Sequence, residues 1–292
     1  MYQIHMHEIP IIEALQTLRT PWLDQLFLAL NIFDYDTTYF VIIIFIWHMV
    51  SEKAGFNVLY LEAIATTAFM TLKDICAQPR PYELVPQLGV LETMGPGFPS
   101  GAATEVVTVI GFAFFLLKPT KTIFKVLALC LMVLVGLTRV YLGAHFISDV
   151  IGGYSIGGLI LAGYAWLYEP VDKFLKRYSP LYQFLMHSAF IFCLMFINPA
   201  LMTLLLLLYG AMLWHVFLYP LTNHSAESFS NSYKLFTTLS AIGGMIFLHK
   251  VLATNLPLYV SHPITERIVH AVLDMGVGIL IGASSYIGLI IR

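Results

Sequence analysis

The sequence predicts an all-α integral membrane protein, and three observations carry that prediction. Hydrophobic residues fill 59% of the 292 positions and charged ones only 11%. Mean hydropathy is +0.80. The apolar residues also fall in long runs separated by short polar loops. A soluble domain carries about 25% charged residues, so a chain this poor in charge turns its apolar surface toward lipid. The formal net charge of −2 says nothing in favour of nucleic acid, and no nucleic-acid partner is expected. Cys76, Cys130 and Cys193 lie far apart, two of them inside apolar runs, and propose no disulfide framework.

Residues 1–20 carry Glu8 and Glu13 and no basic leader before an apolar run, which does not fit a cleaved signal peptide. From residue 9 to 33, apolar residues at helical spacing alternate with Glu13, Gln16, Arg19, Asp24 and Gln25. That pattern suits a helix lying in the membrane interface, so residues 1–36 are expected to form an interfacial N-terminal segment, the alternative being that the stretch is half of the first span. A span needs about 20 mostly apolar residues, because each rises about 1.5 Å through a core of about 30 Å. About nine runs qualify: 37–50, 56–72, 100–117, 123–142, 146–168, 181–197, 201–218, 235–249 and 268–291. The first is the shortest. Residues 37–170 form the core and 171–292 add four further spans, where Ser240-x3-Gly244 and Gly278-x3-Gly282 suit close helix packing.

Orientation follows from the basic residues. With an outer N-terminus, the inner loops hold Lys53, Lys118, Lys121, Lys125, Lys173, Lys176, Arg177, Lys234 and Arg292, nine of the fifteen. Arg19, Lys73, Arg80, Arg139, Lys250 and Arg267 fall outside. The bias predicts a cytoplasmic C-terminus and places the charged clusters on the outer (periplasmic, extracellular or lumenal) face.

Three clusters then meet at one depth: Lys73 with Arg80 and Pro81; Pro99, Ser100 and Gly101; and Thr138, Arg139, His145 and Asp149. Ionisable groups in or beside spans are costly, so their default reading is functional. Lys73, Arg80 and Arg139 supply the charge that a phosphate dianion and its transition state require. Ser100 and Gly101 open a helix, whose first N–H groups and dipole favour an anion. His145 and Asp149, four apart, allow the carboxylate to hold one ring nitrogen while the other attacks phosphorus.

Lys73-x6-Arg80-Pro81, Pro99-Ser100-Gly101 and Thr138-Arg139-x5-His145-x3-Asp149 resemble the signature motifs of the type 2 phosphatidic acid phosphatase superfamily, which also includes vanadium haloperoxidases. The resemblance covers residues 56–168. It implies a six-helix phosphatase core and hydrolysis in two steps through a phosphohistidine. His145 would be the nucleophile, Asp149 its orienting partner, and Lys73, Arg80, Ser100, Gly101 and Arg139 the phosphate pocket. No metal or other cofactor is implied.

Two positions depart from the pattern. Thr138 replaces a serine and keeps the hydroxyl. Ala102 stands where the family has a histidine that protonates the leaving group, and alanine transfers no proton. General acid catalysis contributes about 10²- to 10⁴-fold, so the expectation is a nearly inactive protein. Every other motif residue is present, which fits an engineered exchange better than a natural pseudoenzyme, because drift erodes several positions.

The substrate reading leans to a lipid phosphate monoester or diphosphate entering from the bilayer. The alternatives are a sugar phosphate, since 95–101 and 78–82 resemble the glucose-6-phosphatase branch, a phosphotransferase, or a non-catalytic binder or transporter of a phosphorylated ligand. Glu62, Glu105, His270 and Asp274 are intramembrane ionisables with weaker claims on the site. His48, His187 and His215 are expected to sit isolated on apolar faces, with no ligand spacing for a metal.

Overall fold

A computed structural model describes residues 2–117, 121–218, 230, 233–242 and the positions 276, 277, 279 and 281. Among the described residues all regular structure is helical. Helix α1 is Tyr2–Gln16 and α2 is Pro21–Leu30. Thr20 caps α2 by accepting from Leu23 N at 3.2 Å, with Pro21 at the first helical position where its missing N–H costs nothing. A 3₁₀ turn, Asn31–Asp34, leads into α3, Asp36–Met49. Then follow α4 (Glu52–Cys76), the short α5 (Pro81–Leu84), α6 (Gly101–Leu117), α7 (Thr122–Tyr141) and α8 (Ile147–Leu175). Helix α9 is Pro180–Ile197, and α10 is Met202–Leu213 with a widened π turn over Trp214–Leu218.

Four stretches among the described residues are long and apolar enough to cross a membrane: Glu52–Leu84, Thr122–Tyr141, Ile147–Leu175 and Pro180–Ile197. Pro21–Asp34 and Asp36–Met49 pass together as a pair bent by 61°, so part of the expected interfacial segment joins the first expected span. Gly101–Leu116 and Leu204–Phe217 are apolar but shorter. Of the span expected at 235–249, residues 235–242 are helical and the rest lies outside the described residues. The span at 268–291 lies outside them except for four positions, as do His270, Asp274, Gly244, Gly278 and Gly282.

The chain forms two compact units. Unit 1 contains Met1–Tyr39 and Ile64–Leu167, and therefore every motif residue. Helix α1 buries Ile9 and Ile12 against Leu88, Ala103, Val140, Phe146 and Val150, while Phe27 of α2 packs on Tyr141 and Leu142. Gln16 Nε2 donates to the carbonyls of Leu88 and Tyr141, both at 2.9 Å, satisfying two acceptors where helices end. Helices α6 and α8 approach across small residues. A Cβ on Gly153 would lie 2.5 Å from the Ser100 carbonyl, and one on Gly157 would lie 2.6 Å from that of Thr104. Only glycine allows backbones this close, and such contact supplies dispersion where lipid gives helices no hydrophobic drive.

Unit 2 contains Phe40–Ala63 and Tyr168–Arg292. Its polar contacts correct the expectation of isolated histidines. His215 Nδ1 lies 3.2 Å from Glu52 Oε1 and stacks on Phe56 at 4.5 Å between centroids, and His187 Nδ1 lies 3.3 Å from the Tyr60 hydroxyl. Burying an unpaired imidazole or carboxylate is costly, so these polar groups pair within the helix packing. Lys53 reaches Asp172 at 3.3 Å and the Tyr168 ring at 5.3 Å.

Candidate active site

The third motif is built at the junction of α7 and α8. Thr138 and Arg139 occupy the last turn of α7, and the chain reverses at Gly143, whose φ is 69°. A side chain there would be strained by that backbone and would overlap the Leu88 carbonyl, so the turn requires glycine. His145 follows just before α8, with Asp149 in the first turn of that helix. His145 Nδ1 lies 3.4 Å from Asp149 Oδ2, and the same carboxylate oxygen accepts from Phe146 N at 2.9 Å. On the other side of the ring, Nε2 lies 3.2 Å from Arg80 Nη1. A guanidinium only donates, so Nε2 accepts and Nδ1 carries the hydrogen that faces Asp149. Burial holds the His145 imidazole well below its ordinary value, and Arg139, Lys73 and Arg80 push the same way. Its neutral form therefore prevails at physiological pH.

The first motif lies at the end of α4 and the loop after it. Lys73 is buried and donates to the carbonyl of Pro96 at 2.7 Å and that of Gly97 at 3.4 Å. Arg80 is also buried; its Nε donates to Gly95 O at 2.7 Å, Nη1 to Ala144 O at 2.8 Å, and Nη2 to Met94 O at 3.1 Å and Pro96 O at 3.3 Å. One fork thus ties the 94–97 loop to the turn that carries His145, which a lysine could not do.

The second motif starts α6. Ser100 is fully buried; its N–H donates to the Asp149 carbonyl at 3.0 Å, and its hydroxyl lies 3.4 Å from Ala103 N, a capping position. Gly101 sits against the Phe69 ring, 3.0 Å from where a Cβ would be. Ala102 is buried with Val106 and Val135, and Phe33 packs against that cluster.

The structure therefore brings Lys73, Arg80, Ser100, Arg139, His145 and Asp149 together in unit 1, while Gly101 and Ala102 follow Ser100 on α6 with their neighbours Phe69 and the Val106–Val135 cluster. Thr138 turns its hydroxyl back to Leu134 O at 2.8 Å. Glu62 and Glu105 are buried in the helices. No group of three or more His, Cys, Asp or Glu side chains among the described residues is placed to hold a metal ion.

Sequence reasoning missed three neighbours. Arg139 is 1% exposed; its Nη1 bonds Asn31 Oδ1 and its Nη2 lies 3.0 Å from Asp34 Oδ2. The Tyr39 hydroxyl donates to Phe33 O at 2.9 Å and lies 3.3 Å from the Ala102 carbonyl. A signal was present: Asn31, Asp34 and Asp36 interrupt an otherwise apolar stretch, where polar groups are retained for a partner or a function.

Together these features define a helical membrane protein with a cationic cluster around a buried imidazole–carboxylate pair. Residues 54–172 match the family model described as the PAP2 superfamily. Phosphatidylglycerophosphatase B of Bacillus subtilis (strain 168) is 38% identical over 88 residues, 28% of this chain and 41% of that protein. The match thus spans about two fifths of the curated relative. The crystal structure of the first transmembrane PAP2 type phosphatidylglycerolphosphate phosphatase from Bacillus subtilis aligns with a TM-score of 0.50 at 25% identity, over 61% of this chain and 90% of that one. These likenesses support a type 2 phosphatidic acid phosphatase superfamily relationship, which the family model carries over residues 54–172.

Proposed function

We propose that this protein is an integral-membrane phosphatase that removes phosphate from a lipid phosphate monoester or diphosphate. The observation that carries the reading is the position of His145, with Nδ1 facing Asp149 and Nε2 facing the Arg80 fork. Lys73, Arg80 and Arg139, with the N–H groups opening α6 after Ser100 and Gly101, form the phosphate pocket. His145 Nε2 attacks phosphorus as the bond to the leaving oxygen breaks; water then attacks the phosphohistidine and releases phosphate. Asp149 holds the tautomer and steadies the positive charge that develops on the ring. A lipid substrate is supported by the relative's activity and by a site at the ends of apolar helices. The outer face, the nine spans, the six-helix core and the cytoplasmic C-terminus complete the proposal on the positive-inside pattern. Ala102 leaves the leaving group without the family's proton donor, which by itself slows turnover by about 10²- to 10⁴-fold.

Phosphate release by the purified protein tests this, with phosphatidylglycerophosphate, phosphatidic acid, undecaprenyl diphosphate and glucose 6-phosphate compared for the native chain and Ala102→His. Release from a lipid, lost in His145→Asn, is the expected result. Release from glucose 6-phosphate alone replaces the substrate class. Tight vanadate binding without turnover in either form replaces the enzyme by a binder, and transfer to an acceptor other than water replaces it by a phosphotransferase.

A further inference from the structure

We propose that Asp34 gives the leaving oxygen the proton that alanine at position 102 cannot supply. The inference rests on the phosphatase reading above and names a further catalytic residue for it.

The placement comes from three contacts. Phe33 packs against the cluster that contains Ala102. The Tyr39 hydroxyl lies 2.9 Å from the Phe33 carbonyl and 3.3 Å from the Ala102 carbonyl, so the main chain at 33 and at 102 flanks one oxygen atom. Asp34, the next residue, reaches Arg139 Nη2 at 3.0 Å through Oδ2 and lies within electrostatic range of Arg80 and Lys73. A carboxyl group thus pairs with one cation of the pocket and feels the other two, and it follows directly on Phe33, which packs against the cluster that holds Ala102. Its side chain is 23% exposed, which leaves a path for the proton to be replaced. Asn31 holds the other Nη of Arg139, so the guanidinium stays anchored when Asp34 lets go.

The chemistry follows from competition for Arg139. A bound phosphate dianion takes hydrogen bonds from the guanidinium and sets a second negative charge beside the Asp34 carboxylate, and two adjacent anions favour protonation of one. In the first step the lone pair of His145 Nε2 forms the N–P bond, the P–O bond to the leaving group breaks, and that oxygen takes the Asp34 proton. In the second, water forms a P–O bond while N–P breaks, and Asp34 takes the proton the water gives up. Ester and water become alcohol and phosphate, with His145 and Asp34 restored. An acid at 34 removes the need to regard the alanine as an inactivating exchange.

The test compares the native chain, Asp34→Asn, Ala102→His and the double variant on a lipid phosphate and on p-nitrophenyl phosphate, whose phenolate leaves with little help from an acid. Asparagine keeps an acceptor for Arg139, and the aryl ester rate reports a folded, phosphate-binding site. The expected result is a loss of about 10²- to 10⁴-fold on the lipid in Asp34→Asn, at least about tenfold more than on the aryl ester, with the lipid rate recovered in the double variant. If histidine does not fit at the buried position 102, the difference between the two esters decides alone. Equal loss on both esters makes Asp34 a structural anchor of Arg139 and overturns the proposal. So does a native chain that cleaves the aryl ester but no lipid until Ala102→His is introduced. If no form cleaves either ester, the phosphatase reading itself has failed.

Discussion

Arg80 Nη1 stands 3.2 Å from His145 Nε2, so the nitrogen that the proposed mechanism assigns to attack has its lone pair directed at a cation. On that mechanism a phosphoryl group takes the place of the Nε2–guanidinium contact, freeing the lone pair while its oxygens keep the cation's charge. Arg80→Gln is expected to lower kcat/KM by about 10²- to 10³-fold. Arg80→Lys is expected to recover little, because the same fork holds the carbonyls of residues 94–96 and 144. Initial rates on an aryl phosphate check both.

The His145 imidazole, lowered by burial and by Arg139, Lys73 and Arg80, stays neutral at pH values where an exposed histidine is half charged. A base lowered in the folded state contributes stability that is complete above its unfolded value, near 6.5, and is lost as pH falls below it. Proton titration of ¹³C-labelled histidines, assigned with His145→Asn, is expected to show this ring titrating well below the ordinary histidine value in Arg80→Gln as well, since burial is the larger cause. A midpoint at or above the ordinary value contradicts the buried geometry.

Gly153→Ala and Gly157→Ala are expected to lower the melting temperature, each costing about 1–3 kcal/mol, because the new methyl meets a backbone carbonyl that cannot move aside. Gly158→Ala on the same helix meets nothing within 4 Å and serves as the comparison. Equal melting temperatures for all three would contradict the close α6–α8 contact.

Glu8 accepts from Ser148 N at 3.0 Å and from Ser148 Oγ at 3.1 Å, which makes a residue of α1 the cap of α8. Glu8→Ala is expected to cost about 1 kcal/mol, with Glu8→Gln losing less because one acceptor remains. Thermal unfolding in detergent, read alongside kcat for the shift it transmits to Asp149, distinguishes the two.

The motif residues were legible because charge inside apolar sequence is rare and each cluster is local: His145 and Asp149 are one turn apart, and Ser100 and Gly101 adjoin a helix start. The helices themselves were legible from hydropathy, with α6 and α10 falling short of full span length. The Asn31 and Asp34 contacts were not legible. They join Arg139 across more than a hundred residues, and no local period records such a pairing. For the same reason the amphipathic pattern of 9–33 suggested one interfacial helix and recorded neither its division into α1 and α2 nor the docking of α2 on α7 through Phe27 and Tyr141.

The α6–α8 contact has a consequence for how such a site can change over time. Gly153 and Gly157 meet the carbonyls of Ser100 and Thr104, and Ser100 N binds the Asp149 carbonyl, so the spacing between the two site-bearing helices is fixed by main chain. Ala102 lies off that contact, among Val106, Val135 and Phe33. On the mechanism proposed above, residue 102 is therefore free to change its chemistry while the main-chain frame that holds Ser100 against Asp149 stays as it was.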